Sequence, residues 1–531
     1  MVIHVFVYNQ CISQPAIQWQ KCYGSSKTEQ SRDIKLTTDG GYILLGHTNN
    51  GNDYDVSGNH GADYWVVKLD SAGTMQWQKC LGGSIQDIGY AVQQTSDGGY
   101  IVCGYARSTD GDVTGLHDSL ANGYPDAWVV KLDAAGGIQW QHCYGGSYGE
   151  VAYDIVQTTD GSYVFVGAAG SNDNDVNGNH GGYSDVWLVK INNTGAMQWQ
   201  RCLGGTSNEV GYSIKQTADG GVVFAGVTYS NDGDVTGYHP SPGAQGDAWV
   251  VKTDSAGNIQ WQKCFGGSKD DGASAIIQTI DGGYLFGGAA NSTDGDVAGL
   301  HPSILDYPDA WVVKLDGFGN LQWQHCYGGS DADVFYSVNQ TMDGGYILGG
   351  QTESMDGDVT GNHYYDLWLV KIDTSSAIMW QKCLGGSSLE RTGIVRQTPD
   401  SGFIITGSTL SNNGDVSGLH DPGAGFSDCW VVKLGPDTIL GISDIINEMV
   451  SISINPNPAK EYFKVRSQLM PKQKAWFVLM DFFGRTIMEA ELNSVTTELM
   501  VQTDNFADGL YLWSLLLGDK KVQTGRIAVI R

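Results

Sequence analysis

IVQTTDGSYVFVG (155–167), DVWLVKIN (185–192) and MQWQRCLGG (197–205) are pieces of one continuous stretch, and how they are read decides the fold. The first is a pair of apolar, β-rich runs around a Thr-Asp-Gly turn, which is a hairpin signal. The second alternates apolar and polar residues as a half-buried strand does. The turn NTGA (193–196) then leads into the third. The stretch is therefore a unit of four short antiparallel strands.

The unit recurs. Tryptophans followed by glutamine stand at Trp19, Trp77, Trp140, Trp199, Trp261, Trp323 and Trp380. A second set, in W-[VL]-V-K, stands at Trp65, Trp128, Trp187, Trp249, Trp311, Trp368 and Trp430. Seven four-stranded units of this length indicate a β-propeller, and no amphipathic helix pattern interrupts them. The array opens on the strand Ile17 to Tyr23 and ends after the strand Trp430 to Leu434. The first strand is thus the missing outer strand of the last unit, and borrowing it closes the ring and removes free edges. The chain is read as all-β: an N-terminal segment (1–16), a seven-bladed propeller (17–435), a linker (436–450) and a small β-sandwich (451–531). The hairpin VVKLDAAGGIQWQ (129–141) resembles those of quinoprotein-like propellers, where the tryptophan docks between blades. That resemblance concerns fold and not a quinone.

Glycine is 74 of 531 residues, about twice the usual share of roughly 7%, as many tight turns require. Residues 441–531 hold 10 basic and 10 acidic side chains, so the remaining 20 basic and 48 acidic residues carry the whole net charge of −28. Such a body repels phosphate backbones, which argues against nucleic acid as a partner. No apolar run reaches the 18 or so residues of a membrane span. MVIHVFVYNQCISQPA (1–16) has a short apolar stretch without a basic start and is expected to be the remnant of a signal peptide.

Strand order places the tight turns, TSDGG (95–99) and LDAAGG (132–137) in the second unit, on one face. The long loop between second and third strands and the crossover loop into the next unit share the other face, where function is expected. The long loop of the second unit is STDGDVTGLH (108–117), and its pattern repeats. The first acidic position is Asp53, Asp110, Asp173, Asp232, Asp294 and Asp356, with Asn413 in the seventh unit. The second is Asp55, Asp112, Asp175, Asp234, Asp296, Asp358 and Asp415. A histidine follows five residues later: His60, His117, His180, His239, His301, His363 and His420. Two residues before each third-strand tryptophan stands Asp63, Asp126, Asp185, Asp247, Asp309, Asp366 or Asp428. The crossover loop adds Glu29, Asp87, Glu150, Glu209, Asp271, Asp333 and Glu390.

Two readings stand. Asp-x-Asp-x-[Ser/Thr/Asn]-Gly matches the first six positions of a calcium loop, with the aspartate before the tryptophan as a substitute for the missing twelfth-position glutamate. Ala298 breaks the pattern at the fifth position, where Ser57, Thr114 and Asn177 carry oxygen. Alternatively the aspartates cap turns, and each histidine bonds a crossover carboxylate to staple the blade, as in WD-repeat propellers. Sevenfold recurrence favours a structural role, because catalysis needs one site.

Cys22, Cys80, Cys143, Cys202, Cys264, Cys326 and Cys383 recur one blade apart, too far for the roughly 7 Å Cα separation of a disulfide, and are read as small buried hydrophobes. The periodic tryptophans are read as core. Loop tyrosines (Tyr124, Tyr229, Tyr238, Tyr307, Tyr364 and Tyr365) are the better ligand contacts, and the irregular loops 237–249 and 299–311 are the expected contact segments. No G-x-S-x-G elbow, H-E-x-x-H helix or P-loop is present, so no catalytic residue is assigned.

After Gly435 the repeat stops. N-P-N-P-A (Asn455, Pro456, Asn457, Pro458, Ala459), D-x-x-G-R (Asp481, Gly484, Arg485) and G-L-Y (Gly509 to Tyr511), with a closing Lys-rich strand, resemble the type A sorting domain of the type IX secretion system of Bacteroidota. The propeller repeats are similar to arrays found ahead of such domains. The resemblance implies Sec export, contact with the type IX machinery, passage across the outer membrane of a Gram-negative cell, and release or surface anchoring with the domain often removed. The expected function is a secreted or surface-held binding or scaffold module for a glycan, a protein or another copy of itself. The alternatives are an extracellular glycan-processing enzyme and a calcium-stabilised structural surface protein.

Overall fold

The computed structural model describes residues 11–117, 123–239, 245–303, 305–440, 451–468, 474–481, 485–493, 498–517 and 520–530. Residues 14–437 form one compact unit, and those before and after it form another. Most of the expected N-terminal segment (1–10) and of the linker (441–450) lies outside the described residues.

The first unit is seven four-stranded antiparallel sheets. In the third of them the strands run Glu150–Gln157, Tyr163–Ala169, Asp185–Ile191 and Met197–Leu203 from inside to outside. Ala169 faces Asp185 across the second pairing, and Val186 faces Leu203 across the third. The last sheet holds Glu390–Gln397, Phe403–Thr409, Asp428–Leu434 and, from the other end of the array, Ile17–Tyr23. Ile17 pairs with Leu434 and Cys22 with Trp430, so the N-terminal strand closes the ring of seven blades.

The inner strands are buried because blade packs on blade. All seven third-strand tryptophans are fully buried. The outer-strand tryptophans, partly covered except for the buried Trp380, lie against the next blade, as Trp77 does edge-on to Tyr100 at 5.6 Å and Trp261 to Tyr284 at 5.5 Å. This contact dictates a glycine. Gly73 has φ +71°, and a Cβ there would start 2.8 Å from the Trp19 ring of the preceding blade.

One expectation needs correction. Alternation predicts a half-buried third strand, yet Asp185–Ile191 is buried on both faces. Its polar residue is a largely buried lysine that pairs with a half-exposed aspartate. Lys68, Lys131, Lys190, Lys252, Lys314, Lys371 and Lys433 each reach the aspartate of their blade's first tight turn, from Asp39 to Asp400, at 2.7–3.0 Å in the six blades other than Lys371's. The Thr-x-Asp-Gly turn is thus a lid over the lysine. The recurring cysteines stand free beside the tryptophan layer.

The second unit is a pair of sheets. Ser451–Asn455, Tyr462–Gln468 and Glu498–Gln502 form one, and Thr486–Asn493, Lys474–Met480, Gly509–Leu517 and Lys520–Val529 the other. Phe463, Phe477, Trp513, Leu515 and Ile527 fill its core. Asp481 accepts from the backbone and guanidinium of Arg485 at 2.9 and 2.7 Å. Asn457 accepts from Ala528 N–H at 3.0 Å, and Tyr511 donates to Ala507 at 2.9 Å. The motif residues therefore hold turns and edges. Gly484 lies outside the described residues.

Closure by a borrowed strand has a direct test. A chain beginning after Tyr23 leaves Asp428–Leu434 as an open edge and strips the Trp430 indole of Gln20, its partner at 2.7 Å. Such a chain is expected to melt at least several degrees lower and to self-associate on size exclusion.

Candidate functional site

The loop-rich face carries seven copies of one arrangement, built outward from the buried tryptophan. Each third-strand indole N–H donates to the glutamine after the outer-strand tryptophan, Trp65 to Gln78 and Trp187 to Gln200 for example, at 2.6–3.0 Å in all seven blades. The glutamine amide then donates to the backbone carbonyl of the fifth long-loop position, at 2.8–3.3 Å from Ser57 round to Ser417. Only a carbonyl is needed there, which is why Ala298 is tolerated.

The two loop aspartates point at the crossover loop. The first accepts from a backbone amide at 2.7–2.9 Å: Ser26 to Asp53, Ser84 to Asp110, Ser147 to Asp173, Thr206 to Asp232, Ser268 to Asp294 and Ser330 to Asp356. Ser387 donates to Asn413 in the same way, because an amide oxygen serves as well as a carboxylate. The second set, Asp55, Asp112, Asp175, Asp234, Asp296, Asp358 and Asp415, accepts more weakly from the first crossover glycine at 3.2–3.4 Å. Among the described residues no three His, Cys, Asp or Glu side chains are grouped to hold a metal ion. The calcium pattern is thus spread over separate backbone partners.

The histidines staple, but not to the expected partners. His60, His117, His180, His239, His301, His363 and His420 bond through Nδ1 to Asp63, Asp126, Asp185, Asp247, Asp309, Asp366 and Asp428, at 2.6–3.3 Å. Five also reach the second loop aspartate of the next blade through Nε2, from His117 with Asp175 at 3.4 Å to His420 with Asp55 at 3.9 Å across the closure. For His180 burial works against the charge, yet the bond to Asp185 and the fields of Asp185 and Asp234 carry its pKa above the ordinary value.

The crossover carboxylates sit deeper and serve the backbone instead. Asp87 accepts from Gly83, Arg107 and Ser108 amides and from the Ser108 hydroxyl at 2.7–3.2 Å. Glu29, Glu150, Glu209, Asp271, Asp333 and Glu390 each accept from the matching glycine or serine amide of the crossover loop. In six of the seven blades the crossover carboxylate also faces the pre-tryptophan aspartate across a glycine. A side chain at Gly82 would begin 2.6 Å from Asp63 Oδ1 and 2.8 Å from Asp87 Oδ2. The inner oxygens of Asp63, Asp126, Asp185, Asp247, Asp366 and Asp428 are buried with no donor. Two buried carboxyls around one glycine favour a proton there. Burial pushes Asp63, Asp247 and Asp428 up to about 6 and Glu29, Glu150 and Asp333 up to about 7, against the hydrogen bonds that lower them.

At the axis the repeat breaks. The cavity enclosed by the inner strands, about 350 Å³, is lined by Tyr90, Tyr153, Tyr212 and Tyr336 and by Arg32, Lys35, Lys215 and Arg396 with Asp33 and Asp154. Tyr90, Tyr153 and Tyr212 form a chain of rings 4.8 and 5.3 Å apart. Lys35 and Arg396 share Asp33 at 2.6 and 3.1 Å, and Lys215 pairs with Asp154 at 3.0 Å. Burial, then the Arg396 charge, lowers Lys35 to about 8. These residues were missed from sequence. The available signal was inner-strand positions that vary while their neighbours repeat.

The loop tyrosines divide. Tyr124 and Tyr148 pair at 5.5 Å and Tyr364 and Tyr365 at 4.4 Å, all on the loop-rich face. Tyr54 and Tyr183 there are more exposed still, at 65% and 90%. Tyr238 is a loop brace rather than a contact: its ring packs on the fourth blade's core and its hydroxyl donates to Gln245. Tyr307 N–H donates to Ser303 Oγ at 3.1 Å. Tyr229 lines a small cleft with Tyr212, Asp270 and Pro308. Of the irregular loops, residues 240–244 and 304 lie outside the described residues.

Comparison with known proteins places the tail. Residues 453–529 are a secretion system C-terminal sorting domain. The chain is therefore exported by the type IX route to the cell surface or released, and no helix among the described residues is long and apolar enough to cross a membrane. The regulatory protein FlaEY of Caulobacter vibrioides is 26% identical over 268 residues, covering 48% of this chain and 27% of that protein's length. Among solved structures, a Dyadobacter fermentans protein of unknown function is 10% identical with a TM-score of 0.39, covering 79% of this chain and 99% of its own. The Neurospora crassa Pan2 WD40 domain is 11% identical with a TM-score of 0.42, covering 77% and 90%.

Two predictions follow from the rim. A carboxyl with a higher pKa in the fold than in the unfolded chain keeps its proton longer when folded. Its contribution is complete below about pH 4 and is lost as pH rises through the folded values of about 6 to 7. The melting temperature in EDTA should fall by several degrees between pH 5 and 8, and Asp63→Asn with Asp247→Asn should flatten that slope. Calcium that raised the melting temperature at pH 8 by a similar amount would mean the carboxyl pair holds an ion instead. Separately, Asp294→Asn should shift the melting temperature by no more than a degree or two, whereas Asp294→Ala, which orphans the Ser268 amide, should cost about 1 kcal/mol in urea unfolding.

Proposed function

We propose that the exported propeller is a non-catalytic binding module that seats an extracellular glycan on its loop-rich face, over the axial cavity. The observation that carries this reading is where the repeat is broken. The recurring rim aspartates, histidines and crossover carboxylates are engaged in holding loop to loop. The residues left to vary, Tyr90, Tyr153, Tyr212, Tyr336 and Arg32, surround the axis. Tyrosine rings offer a flat apolar face and a polar tip at low entropic cost, which suits sugar rings. Tyr54, Tyr124, Tyr148, Tyr183 and Tyr364 extend the same chemistry over the rim of that face.

The test is a glycan array probed with the full chain, followed by titration of any hit and analysis of the incubated glycan. Binding without product is expected, with Tyr153→Ala/Tyr212→Ala weakening it at least tenfold at a melting temperature within about two degrees of the parent. Released sugar would make the protein an enzyme. A hit list unaffected by the tyrosine substitutions would move the binding surface elsewhere.

A further inference from the structure

The ring closes where the last blade meets the first, and a pocket of about 430 Å³ opens there on the loop-rich side. Its wall includes Arg32 from the first inner strand, Arg391 and Thr392 from the last, and Thr28, Ser408 and Ser427. The matching cleft between the fourth and fifth blades, lined by Tyr212, Val227, Tyr229, Asp270 and Ser274, is smaller and holds no arginine, and the sequence shows the difference. The inner-strand position that holds tyrosine in four blades is Arg32 in the first and Gly393 in the seventh. The Arg32 guanidinium lines both this pocket and the axial cavity.

Arg32 is under-used in that position. Its Nη2 donates to Gln30 Oε1 at 3.4 Å, its plane lies 5.5 Å over the Tyr90 ring, and its buried Nε has no acceptor. His47, which feels the Arg32 charge, is 9% exposed and carries a second buried nitrogen, Nδ1, without a partner. Among the described residues neither Arg32 nor Arg391 forms an ion pair, in a chain with 58 acidic side chains. The Arg391 charge acts on Glu353, which is also held by Tyr365. Thr392 adds a third sign: its φ of +64° puts a β-branched residue in the left-handed region, a strained backbone of the kind that collects at binding sites. The strand register slips there, from Arg391 to Ile394, more widely than in any other blade.

We propose that this closure pocket binds the carboxylate of an acidic sugar, a hexuronate unit of an otherwise neutral extracellular saccharide. Arg32 and Arg391 take the carboxylate, and the hydroxyls of Thr28, Ser408 and Ser427 take the ring hydroxyls. Arginine forks match a planar carboxylate, and the volume fits one or two sugar units. A polyanion is disfavoured because the rest of the propeller is strongly negative, so the acid is an isolated one. This inference rests on the glycan-binding reading and names its ligand class.

The experiment is calorimetric titration of the full chain with methyl glucuronide, methyl glucoside and acetate. The glucuronide is expected to bind at least tenfold tighter than either of the others. Arg391→Gln, at an exposed position that should not disturb folding, should weaken it at least tenfold, and Arg32→Gln further where that variant folds. Equal affinity for glucoside, equal affinity for acetate, no glucuronide binding, or an unchanged Arg391→Gln titration would each overturn the proposal. Neutral glycans that bind while glucuronide does not would leave the binding module standing and remove this site. Conversion of a glucuronide would keep the site and remove the non-catalytic reading.

Discussion

The indole N–H of a tryptophan sealed inside a blade must have an acceptor, and in this protein meeting that need organises everything outside it. The acceptor is a glutamine on the outer strand, and its amide in turn ties down the carbonyl at the turn of the long loop. Each link is one hydrogen bond, worth about 1 kcal/mol net, but an orphaned buried donor costs more than a made bond gains. The chain tryptophan, glutamine, loop carbonyl is therefore hard to break at any member. It sets where the long loop turns, and so where its aspartates and histidine can reach. The closing blade obeys the same rule with a glutamine from the other end of the array, Gln20 beneath Trp430.

Above that relay the rim is an accommodation of charge. At six of the seven junctions two carboxyls lie within reach of one glycine, and there the pre-tryptophan aspartate has one buried oxygen without a donor. The pre-tryptophan aspartate keeps one oxygen for its histidine, while the other faces a second carboxyl. Burial makes both reluctant to ionise, and the histidine supplies the positive partner that lets the outer oxygen carry charge. Where the loop is short, as at His60 and His363, the imidazole is about half exposed and, among the described residues, its Nε2 pairs with no carboxylate of the next blade. Where it is longer, the imidazole lies lower and spans the junction. Loop length thus sets whether a histidine serves one blade or two.

The architecture was legible because it is written seven times. Strand order and closure rest on residues whose spacing decides them, such as Trp19 against Trp430, whereas the sorting tail was legible through the resemblance of motifs such as Asn455 to Ala459. The partners of the rim groups were not legible for a physical reason. A histidine five residues past an aspartate can meet either of two carboxylates that sit within one glycine of each other, and depth, which spacing does not encode, makes the choice. The calcium pattern has a second explanation in the hydrogen bonds. Asp53 and Asp55 look like a ligand pair, but Asn413 and Ala298 already showed that an amide oxygen and a bare carbonyl suffice. The tight-turn aspartates were read as turn-formers alone, whereas Asp39 and its equivalents also cover a buried lysine.

Sevenfold repetition constrains what function can use. A group that recurs in every blade is committed to the contact that every blade needs, so altering it for a ligand would cost stability in proportion. The inner-strand side chains that face the axis vary from blade to blade, from Arg32 to Tyr90 to Gly393, so they are not committed to one repeated contact. They hold charges that the rest of the surface lacks: four basic groups against two acids, in a propeller whose acids outnumber its bases more than twofold. Two of those bases, Lys35 and Arg396, are balanced through Asp33, and Lys215 through Asp154. Arg32 is the one left over, and it stands at the seam where the ring had to be closed by a separate strand. A closed ring built from equal parts has its least symmetric point at that seam, so an unpaired cation can persist there without being copied into six other blades.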